Sequence, residues 1–362
     1  MSSSIDQYLR ERIEAGDLPG AAYAVATPEG FLALGAVGDA AIEPERIPAA
    51  TDTIYDLASL TKPLVTSFLL LRLGRELGLR EDLPVSRILH EVDRQDKKEI
   101  TIGQLLTHTS GLPDWVPFYL SGETMGDYLR QIRVLEPVAR PGAGVIYSCL
   151  GYIMLGELIA RSATMGLDGL AEQLIWRPLG LRHTAYNPPR EWRASVAATE
   201  DSCQYERKLT ATRSAGYAGY RTGIIHGEVH DQNAWVLGGV AGNAGLFSTA
   251  RETAVMALEY LGDGGGLLGA ESLERARRDR TVGLNEARSD AFRIALRGAT
   301  AAGPDLPGTA FGHNGFTGTS IWIDPERARV YVLLTNRVHP RVSETVDMTA
   351  VRSGFHSVAS RI

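Results

Sequence analysis

Cysteine and lysine are both scarce in this chain of 362 residues. Two cysteines, Cys149 and Cys203, cannot form a disulfide framework for a chain of this length, and their spacing fits no zinc motif. No basic stripe interrupts the balance of 37 Lys and Arg against 43 Asp and Glu, so we expect no nucleic-acid partner. The most apolar run, residues 63–73, contains polar side chains and is too short to cross a bilayer, so we expect no membrane partner.

The N-terminus lacks a basic segment followed by an apolar one, so no secretory signal is visible. The expectation is a cytoplasmic protein, although a periplasmic or secreted protein whose signal had been removed would look the same. With 44% hydrophobic and 22% charged residues the composition is that of a globular protein. Its length predicts one large domain or two interlocked domains.

The two ends of the chain mix helices with strands, whereas the middle is helical. Apolar spacing and turn residues predict a helix over 6–14, hairpin strands over 20–27 and 31–37, a helix over 60–73, and strands over 316–323 and 330–335. In the middle, helical patterns over 102–107, 125–135, 151–161 and 169–176 alternate with Pro- and Gly-rich loops. We therefore predict an α+β fold, an antiparallel sheet flanked by helices (residues 1–78 and 236–362) with an inserted all-helical domain (79–235). Thr249 and Glu252 form a capping-box pattern that predicts a helix through Tyr260.

The sharpest local motif is Ser59-Leu-Thr-Lys62 at the start of the 60–73 helix. A lysine three residues after a serine lies on the same helix face, and a partly desolvated amine there could act as the base for the hydroxyl. The plainer interpretation is a helix N-cap followed by a surface lysine. The chain has only four lysines, however, and Lys62 is the one placed on an otherwise apolar helix.

Two further motifs carry candidate chemistry. Tyr147-Ser-Cys149 comes just before a helix, where a phenol could shuttle a proton, although a half-buried structural tyrosine is the commoner case. His313-Asn-Gly315 comes at the start of the 316–323 strand, where glycine lets a substrate approach the backbone closely. The alternative there is a turn with a surface histidine.

Other patterns predict neither a cofactor nor a metal. The glycines of residues 264–269 follow a helix. A nucleotide-binding loop with this glycine spacing would follow a strand, so we predict no nucleotide site here. His226-Gly-Glu-Val-His230 has its glutamate one place away from the zinc-helix position, and its glycines argue against a helix. For His108 we favour a structural hydrogen bond. For the polar residues Asp231, Asn233 and Asn243 two interpretations remain, lining the cleft or capping turns. Arg337 could pair with a substrate carboxylate or with a surface acid.

Taken together, Ser59-x-x-Lys62, Tyr147-Ser-x and His313-x-Gly315, in this order, resemble the serine β-lactamase and penicillin-binding-protein superfamily. The chain is most similar to class C enzymes and their esterase and D-aminopeptidase relatives, with supporting stretches at 54–59, 105–113, 227–234 and 238–250. The resemblance covers about residues 18–339. It implies an α/β domain and a helical domain with the active site between them.

The resemblance also implies roles for single residues. Ser59 would be the nucleophile, Lys62 its base and Tyr147 the proton relay. His313 takes the place of the lysine in the family's Lys-Thr-Gly box. The oxyanion donors would be the backbone N–H groups of Ser59 and of Phe316, the residue after Gly315.

Two residues depart from the family pattern. Cys149 stands where the family has an asparagine that contacts the acyl side chain, and His313 replaces a fixed ammonium. Both changes favour neutral esters or amides over substrates that carry a carboxylate. We therefore expect a serine hydrolase that cleaves a small ester, amide or peptide through an acyl-enzyme, as a carboxylesterase or D-amino-acid peptidase with weak β-lactamase activity. The alternative is a penicillin- or peptidoglycan-recognising protein with little turnover.

Overall fold

The first predicted hairpin is the start of a large sheet. Residues 20–27 alternate small and large apolar side chains and pair antiparallel with residues 30–41 through the turn at residues 28–29. The structure, a computed structural model, describes residues 3–262, 266–296 and 301–362.

Ten strands are found in these residues: β1 (Gly20–Thr27), β2 (Gly30–Ala41), β3 (Ile47–Pro48), β4 (Tyr55–Asp56), β5 (Ala185–Tyr186), β6 (Leu246–Ser248), β7 (Arg293–Ile294), β8 (Phe311–Asn314), β9 (Ser320–Asp324) and β10 (Arg329–Thr335). Seven of them form an antiparallel sheet in the order β3-β2-β1-β10-β9-β8-β7. The first three come from the N-terminal end of the chain and the other four from the C-terminal end. β4, β6 and β5 form a second, small sheet.

The α-helices of the same residues are α1 (Ser4–Glu14), α2 (Phe68–Leu73), α3 (Ile102–Leu106), α4 (Met125–Val134), α5 (Cys149–Ala163), α6 (Leu167–Ala171), α7 (Arg177–Leu179), α8 (Gln204–Thr210), α9 (Gln232–Val236), α10 (Ala250–Leu258), α11 (Ala270–Arg277) and α12 (Met348–Ala359). None of them is both long enough and apolar enough to span a membrane.

Alternating residues of β1 lie in two different cores, as the two-residue period of a strand requires. Ala22 and Ala24 face the larger core, which continues through the helices of the middle segment and α10. Tyr23 and Val25 face a smaller core that α1 and α12 cover. The sheet is thus buried on both faces, in agreement with the predicted sheet flanked by helices.

The predicted α+β fold is confirmed, with three local differences. β9 begins at Ser320 and not at Phe316, because residues 315–319 form a turn. The middle segment contains the short strand β5, which pairs with β6. Of the two hydrogen bonds of the capping box predicted at Thr249, only one is present. The Thr249 hydroxyl accepts a hydrogen bond from the N–H of Glu252, whereas the Glu252 carboxylate accepts hydrogen bonds from residues 182–184. The boundaries given for the two domains stay a prediction.

Candidate active site

Ser59 lies in a single 3₁₀ turn, Ala58–Leu60, directly after strand β4. Asp56, the last residue of β4, holds this turn. Its Oδ1 accepts a hydrogen bond from the N–H of Ala58 at 2.8 Å and its Oδ2 one from the N–H of His230 at 2.7 Å. Ala58 has a φ of +47°, a conformation that costs a non-glycine residue roughly 1–3 kcal/mol. The hydrogen bonds around it therefore keep Ser59 in a strained, defined position.

The helix predicted over residues 60–73 is present but is not one regular helix. A π-helix over Lys62–Ser67 follows the 3₁₀ turn, and only Phe68–Leu73 is α-helical. Pro63 has no N–H, so it cannot donate the hydrogen bond to the carbonyl of Ser59 that a regular α-helix would contain here. The helix predicted over residues 60–73 is thus confirmed, as a 3₁₀ turn, a π-helix and an α-helix in succession.

The amine of Lys62 lies next to the hydroxyl of Ser59. Its Nζ is 3.0 Å from Ser59 Oγ and donates a hydrogen bond to the carbonyl oxygen of Asn243, also at 3.0 Å. The Sγ of Cys149 is 3.6 Å from the same Nζ. Lys62 has no exposed surface, which is unusual for a lysine. The surface-lysine interpretation is therefore wrong.

Burial and neighbouring groups act in opposite directions on the pKa of Lys62. Burial lowers it, while Cys149, Tyr147 and Asp231, where they are ionised, raise it above its ordinary value. Burial also raises the pKa of the Cys149 thiol and of the Tyr147 phenol, so both are uncharged at neutral pH. At that pH neither group contributes a negative charge to offset the desolvation that disfavours the Lys62 ammonium.

Tyr147 and His108 form one packed unit beside the lysine. The Tyr147 ring centroid is 5.1 Å from Lys62 Nζ and 4.6 Å from the His108 ring. The Nδ1 of His108 accepts a hydrogen bond from the N–H of Ser148 at 3.0 Å, so a neutral His108 carries its proton on Nε2. His108 therefore has the structural role predicted for it, since it holds the loop that presents Tyr147.

His313 lies on β8 and is an uncharged residue at neutral pH. Its Nδ1 donates a hydrogen bond to the carbonyl oxygen of Asn314 at 2.9 Å, so the neutral ring has its lone pair on Nε2. Burial, followed by the charges of Arg288 and Lys62, holds the pKa of His313 well below its ordinary value. The ring centroids of His313 and Tyr147 are 5.8 Å apart. The third motif therefore lies beside the first two, with its histidine buried and not at the surface.

Gly315 allows the turn after β8 to lie against the Ser59 segment. A Cβ at this position would be 2.1 Å from Thr319 Oγ1 and 2.6 Å from the carbonyl oxygen of Leu57, distances that no side chain tolerates. Thr319 Oγ1 also donates to that Leu57 oxygen at 3.1 Å. The close approach predicted for this glycine is therefore an approach to the protein's own backbone.

The two N–H groups predicted as oxyanion donors have no protein acceptor among the described residues. In the part of the chain that the structure describes, no hydrogen-bond acceptor is found for the backbone N–H of Ser59 or of Phe316. Both residues line the same cleft. Two unsatisfied donors at one cleft are what an oxyanion hole requires.

Among the described residues five arginines line this cleft, Arg213, Arg288, Arg293, Arg337 and Arg352, and sequence reasoning considered only Arg337. Arg288 and Arg293 both lie within ion-pair distance of the Glu286 carboxylate, and Arg352 comes from α12. No local motif marks them, because they belong to separate elements that only the fold brings together. Their one sequence signal is the predominance of arginine over lysine in the chain.

Arg337 pairs with no surface acid in the part of the chain that the structure describes. Its Nε donates to the carbonyl oxygen of Phe316 at 2.8 Å, and its guanidinium carbon lies 4.5 Å from the centroid of that ring. Its terminal nitrogens have no hydrogen-bond partner, and no carboxylate lies within 4.0 Å of it, among residues 3–262, 266–296 and 301–362. Of the two alternatives for Arg337, pairing with a surface acid is therefore not found among these residues.

The motifs share one cleft with a volume of about 850 Å³. Its lining includes Ser59, Tyr147, Cys149, His313, Gly315, Phe316, Arg288, Arg293, Arg337 and Arg352. Further lining residues come from the middle segment, within 114–117, 205–213 and 230–231. All of the predicted site residues except the buried Lys62 line this cleft.

The histidines of the zinc-like pattern have protein partners. The Nε2 of His226 lies 2.7 Å from the carbonyl oxygen of Val196, and the Nε2 of His230 lies 3.0 Å from a carboxylate oxygen of Glu200. In the described ranges no group of three or more potential metal ligands is found. Of the glycine-rich segment at 264–269, the first two residues lie outside the described residues.

Asp231, Asn233 and Asn243 have separate places. Asp231 caps α9 through the N–H of Ala234 at 2.7 Å and also lines the cleft. Asn233 donates to a loop carbonyl at residue 116. Asn243 donates to Asp231 at 3.2 Å, while its own carbonyl holds Lys62. Asn243 is a site residue whose role sequence reasoning left open, because the contact is made by its backbone.

Known proteins are similar to the chain over almost its whole length. Residues 5–354 match the family described as Beta-lactamase. A protein of Escherichia coli (strain K12) with the provisional name D-alanyl-D-alanine carboxypeptidase is 31% identical over 329 residues, which are 82% of this chain and 72% of that protein. A Salmonella typhimurium protein with the same name is 32% identical over 348 residues, covering 87% of this chain and 76% of the relative.

Two solved structures share the fold. EstCE1, described as a hydrolase with promiscuous acyltransferase activity, has a TM-score of 0.74 at 20% identity and covers 97% of both chains. A penicillin-binding protein homologue from Caulobacter crescentus has a TM-score of 0.73 at 19% identity, covering 99% of this chain and 96% of its own. The family match and the curated relatives agree with the arrangement of the cleft, and the chain belongs to the β-lactamase family of serine hydrolases.

Proposed function

We propose that the chain hydrolyses peptides that end in a D-amino acid, through an acyl-enzyme on Ser59, with Lys62 as base and Tyr147 as proton relay. The observation that carries the proposal is the distance of 3.0 Å between Lys62 Nζ and Ser59 Oγ at the floor of the cleft. A buried amine at hydrogen-bond distance from a hydroxyl is the arrangement of an activated nucleophile.

Acylation begins when the neutral amine of Lys62 takes the proton of the Ser59 hydroxyl. The Oγ attacks the carbonyl carbon of the substrate, and the negative charge on the carbonyl oxygen is stabilised by the N–H groups of Ser59 and Phe316. As the C–N bond breaks, the Tyr147 phenol gives a proton to the leaving amine and is reprotonated by the Lys62 ammonium. Water then enters, gives its proton to the same relay and releases the acyl group from Ser59.

The contacts of Lys62 orient its amine for this step. A neutral amine has two N–H donors and one lone pair, and the carbonyl oxygen of Asn243 and the sulfur of Cys149 lie where they can accept the two donors. The lone pair is then directed at Ser59. This orientation supports Lys62, and not Tyr147, as the group that first removes the serine proton.

Positive charge in the cleft supports a substrate that carries a carboxylate. The terminal nitrogens of Arg337 have no partner among the described residues, and a guanidinium matches a carboxylate in a bidentate geometry. Arg288 lies 5.5 Å from the Tyr147 ring, but its charge is already paired with the Glu286 carboxylate. Arg337 thus supplies the cation that the replacement of a lysine by His313 removes. The provisional name of the curated relatives supports D-alanyl-D-alanine as the terminal unit.

A carboxylesterase is the second candidate, and a specific observation favours it. His313 is neutral and the Cys149 thiol is uncharged at neutral pH, so neither side chain places a charge in the cleft. The fold is shared with EstCE1, described as a hydrolase with acyltransferase activity.

Three substrates separate these functions: diacetyl-L-Lys-D-Ala-D-Ala, its C-terminal amide, and p-nitrophenyl butyrate. We expect the free acid to release D-alanine with many turnovers, the amide to react at least tenfold more slowly, and Ser59→Ala to release none. Arg337→Gln is expected to remove the preference for the acid, whereas Arg10→Gln, an exposed arginine on α1, should leave it unchanged.

Other outcomes would contradict the peptidase. Turnover of the ester alone would favour the carboxylesterase. Release of no more than one equivalent of D-alanine per chain would favour a penicillin- or peptidoglycan-recognising protein. Equal rates for acid and amide would show that the arginines do not bind a carboxylate.

A further inference from the structure

The Phe316 N–H belongs to a peptide group whose carbonyl is held by a buried arginine. The carbonyl oxygen of Gly315, the other end of that peptide group, accepts a hydrogen bond from Arg352 Nη2 at 2.7 Å. The N–H of Gly318 donates to the same oxygen at 3.1 Å. Both donors act on the face of the turn opposite the Phe316 N–H, because the N–H and C=O of a trans peptide point in opposite directions.

Arg352 is committed to this turn. It lies on α12 with 7% of its surface exposed, and its Nε also lies 3.3 Å from the carbonyl oxygen of Gly318. No carboxylate lies within 4.0 Å of its guanidinium in the ranges that the structure describes. Burial, and next the charge of Arg337, lowers the pKa of Arg352 to about 9, which leaves the guanidinium charged at neutral pH. Carbonyl oxygens of the 315–318 turn therefore take the place of a counter-ion.

A buried cation on a carbonyl changes the N–H at the other end of the peptide group. Charge-assisted hydrogen bonds are about twice as strong as neutral ones, and hydrogen bonds in a chain polarise one another. Withdrawal of electrons toward the Gly315 oxygen makes the Phe316 N–H a stronger donor. The same bond also fixes the plane of the peptide, and so the direction of that N–H.

We propose that Arg352 is a positioning residue for catalysis, which orients and polarises the Phe316 N–H through the carbonyl of Gly315. The inference rests on the proposed function, because it assigns that N–H to the oxyanion hole. Arg352 touches no reacting atom in this account. Its effect on the substrate passes through one peptide group.

The experiment compares an aryl ester with its thionoester, in which sulfur replaces the carbonyl oxygen. Sulfur accepts hydrogen bonds weakly, so the ratio of kcat/KM for the oxygen substrate over the sulfur substrate reports the strength of the oxyanion donors. Loss of a whole donor costs about 10²–10³-fold in kcat. For Arg352→Gln, which keeps the donor but removes the cation, we expect the ratio to fall about tenfold, mainly through kcat for the oxygen ester.

Two variants serve as references. Arg352→Lys keeps a cation that can reach one carbonyl, so its ratio should lie between those of the wild type and Arg352→Gln. Arg277→Gln removes an arginine of α11 that also binds backbone carbonyls, those of Tyr260 and Gly262, but lies outside the cleft. Its ratio should equal that of the wild type.

An unchanged ratio in Arg352→Gln, with both substrates slowed equally, would overturn the inference and leave Arg352 a purely structural residue. If Arg352→Gln does not fold, Arg352→Met, which also removes the cation, takes its place, and an unchanged ratio there has the same meaning. A wild type without any Ser59-dependent ester turnover would instead contradict the proposed function, so the two failures are distinguishable.

Discussion

The Oγ of Ser59 and the Nζ of Lys62 lie 3.0 Å apart although neither residue is in a regular α-helix. Ser59 lies in a 3₁₀ turn, in which side chains three residues apart eclipse each other. The strained φ of Ala58 and the Asp56 carboxylate set the direction of this turn. The serine hydroxyl and the lysine amine are thus brought together by local backbone geometry, with support from Asp56 of strand β4 and from the 315–319 turn.

Loss of the Lys62 amine should lower activity far more than loss of any other lysine. General base catalysis contributes about 10²–10⁴-fold, so we expect kcat/KM for a p-nitrophenyl ester to fall about 10³-fold in Lys62→Ala. Lys62→Arg should not restore it, because a guanidinium does not give up its proton. Lys208→Ala, which removes an exposed ion pair with Glu344, is the control and should match the wild type. Equal activity of Lys62→Ala and the control would eliminate Lys62 as the base.

The residue at position 149 should set the pH at which the enzyme becomes active. The ammonium form of Lys62 is inactive, so kcat/KM rises with pH through the Lys62 pKa. In Cys149→Asn an amide oxygen would stabilise the ammonium better than the thiol does, which raises that pKa and moves the acidic limb to higher pH. In Cys149→Ala no side chain at position 149 accepts a hydrogen bond from the Lys62 ammonium, so burial lowers the Lys62 pKa without this compensation. The acidic limb of the pH profile should then move to lower pH. Coincident pH profiles in all three proteins would refute this coupling.

Gly315 should tolerate no side chain. In Gly315→Ala the new Cβ meets Thr319 Oγ1 and the Leu57 carbonyl oxygen, so the turn must move away from the Ser59 segment. We expect a loss of at least 10²-fold in kcat together with a lower free energy of unfolding. Gly269→Ala is a matched control, because a Cβ there meets no atom within 4 Å. Ester hydrolysis and urea unfolding of both variants measure these effects. Full activity in Gly315→Ala would show that the close approach is not required.

His356 should make the stability of the fold depend on pH. It is fully buried and donates from Nδ1 to the carbonyl oxygen of Ala301, and burial lowers its pKa to about 3. Below about pH 6.5 the unfolded chain binds a proton that the folded chain does not, so the wild type loses about 1.4 kcal/mol per pH unit. We expect the stability difference between wild type and His356→Gln to narrow by about 2 kcal/mol between pH 7.5 and pH 5.0. Urea unfolding at the two pH values measures it, and a constant difference would contradict the assignment.

Local patterns were enough to single out the motif residues that the structure brings together. Ser59 and Lys62 are three residues apart, and Tyr147 and Gly315 each stand beside a helix or strand boundary with its own turn residues. The hairpins of β1–β2 and β9–β10 were predicted for the same reason, because the turn and both strands are consecutive in the chain. Such features depend on backbone geometry over a few residues.

Contacts between distant elements could not be predicted in this way. Arg352 reaches the carbonyl of Gly315 from a helix 37 residues later in the chain, and nothing in the composition of either segment indicates it. Likewise the Glu252 carboxylate accepts hydrogen bonds from His183 and Thr184 and not from the backbone N–H of Thr249. The fold brings these distant donors to the carboxylate, and they replace the local one. The helix over residues 60–73 was predicted, but its division into a 3₁₀ turn, a π-helix and an α-helix was not, because apolar spacing does not distinguish these helix types.

The central claim is that the chain forms an acyl-enzyme on Ser59, and trapping that species tests it most directly. The protein is quenched in acid during turnover of a p-nitrophenyl ester, its intact mass is measured, and the modified peptide is sequenced, with Ser59→Ala treated in parallel. We predict one acyl group on Ser59 of the wild type and none on the variant. An acyl group on another residue, such as the Cys149 thiol, or full ester turnover by Ser59→Ala, would contradict the account.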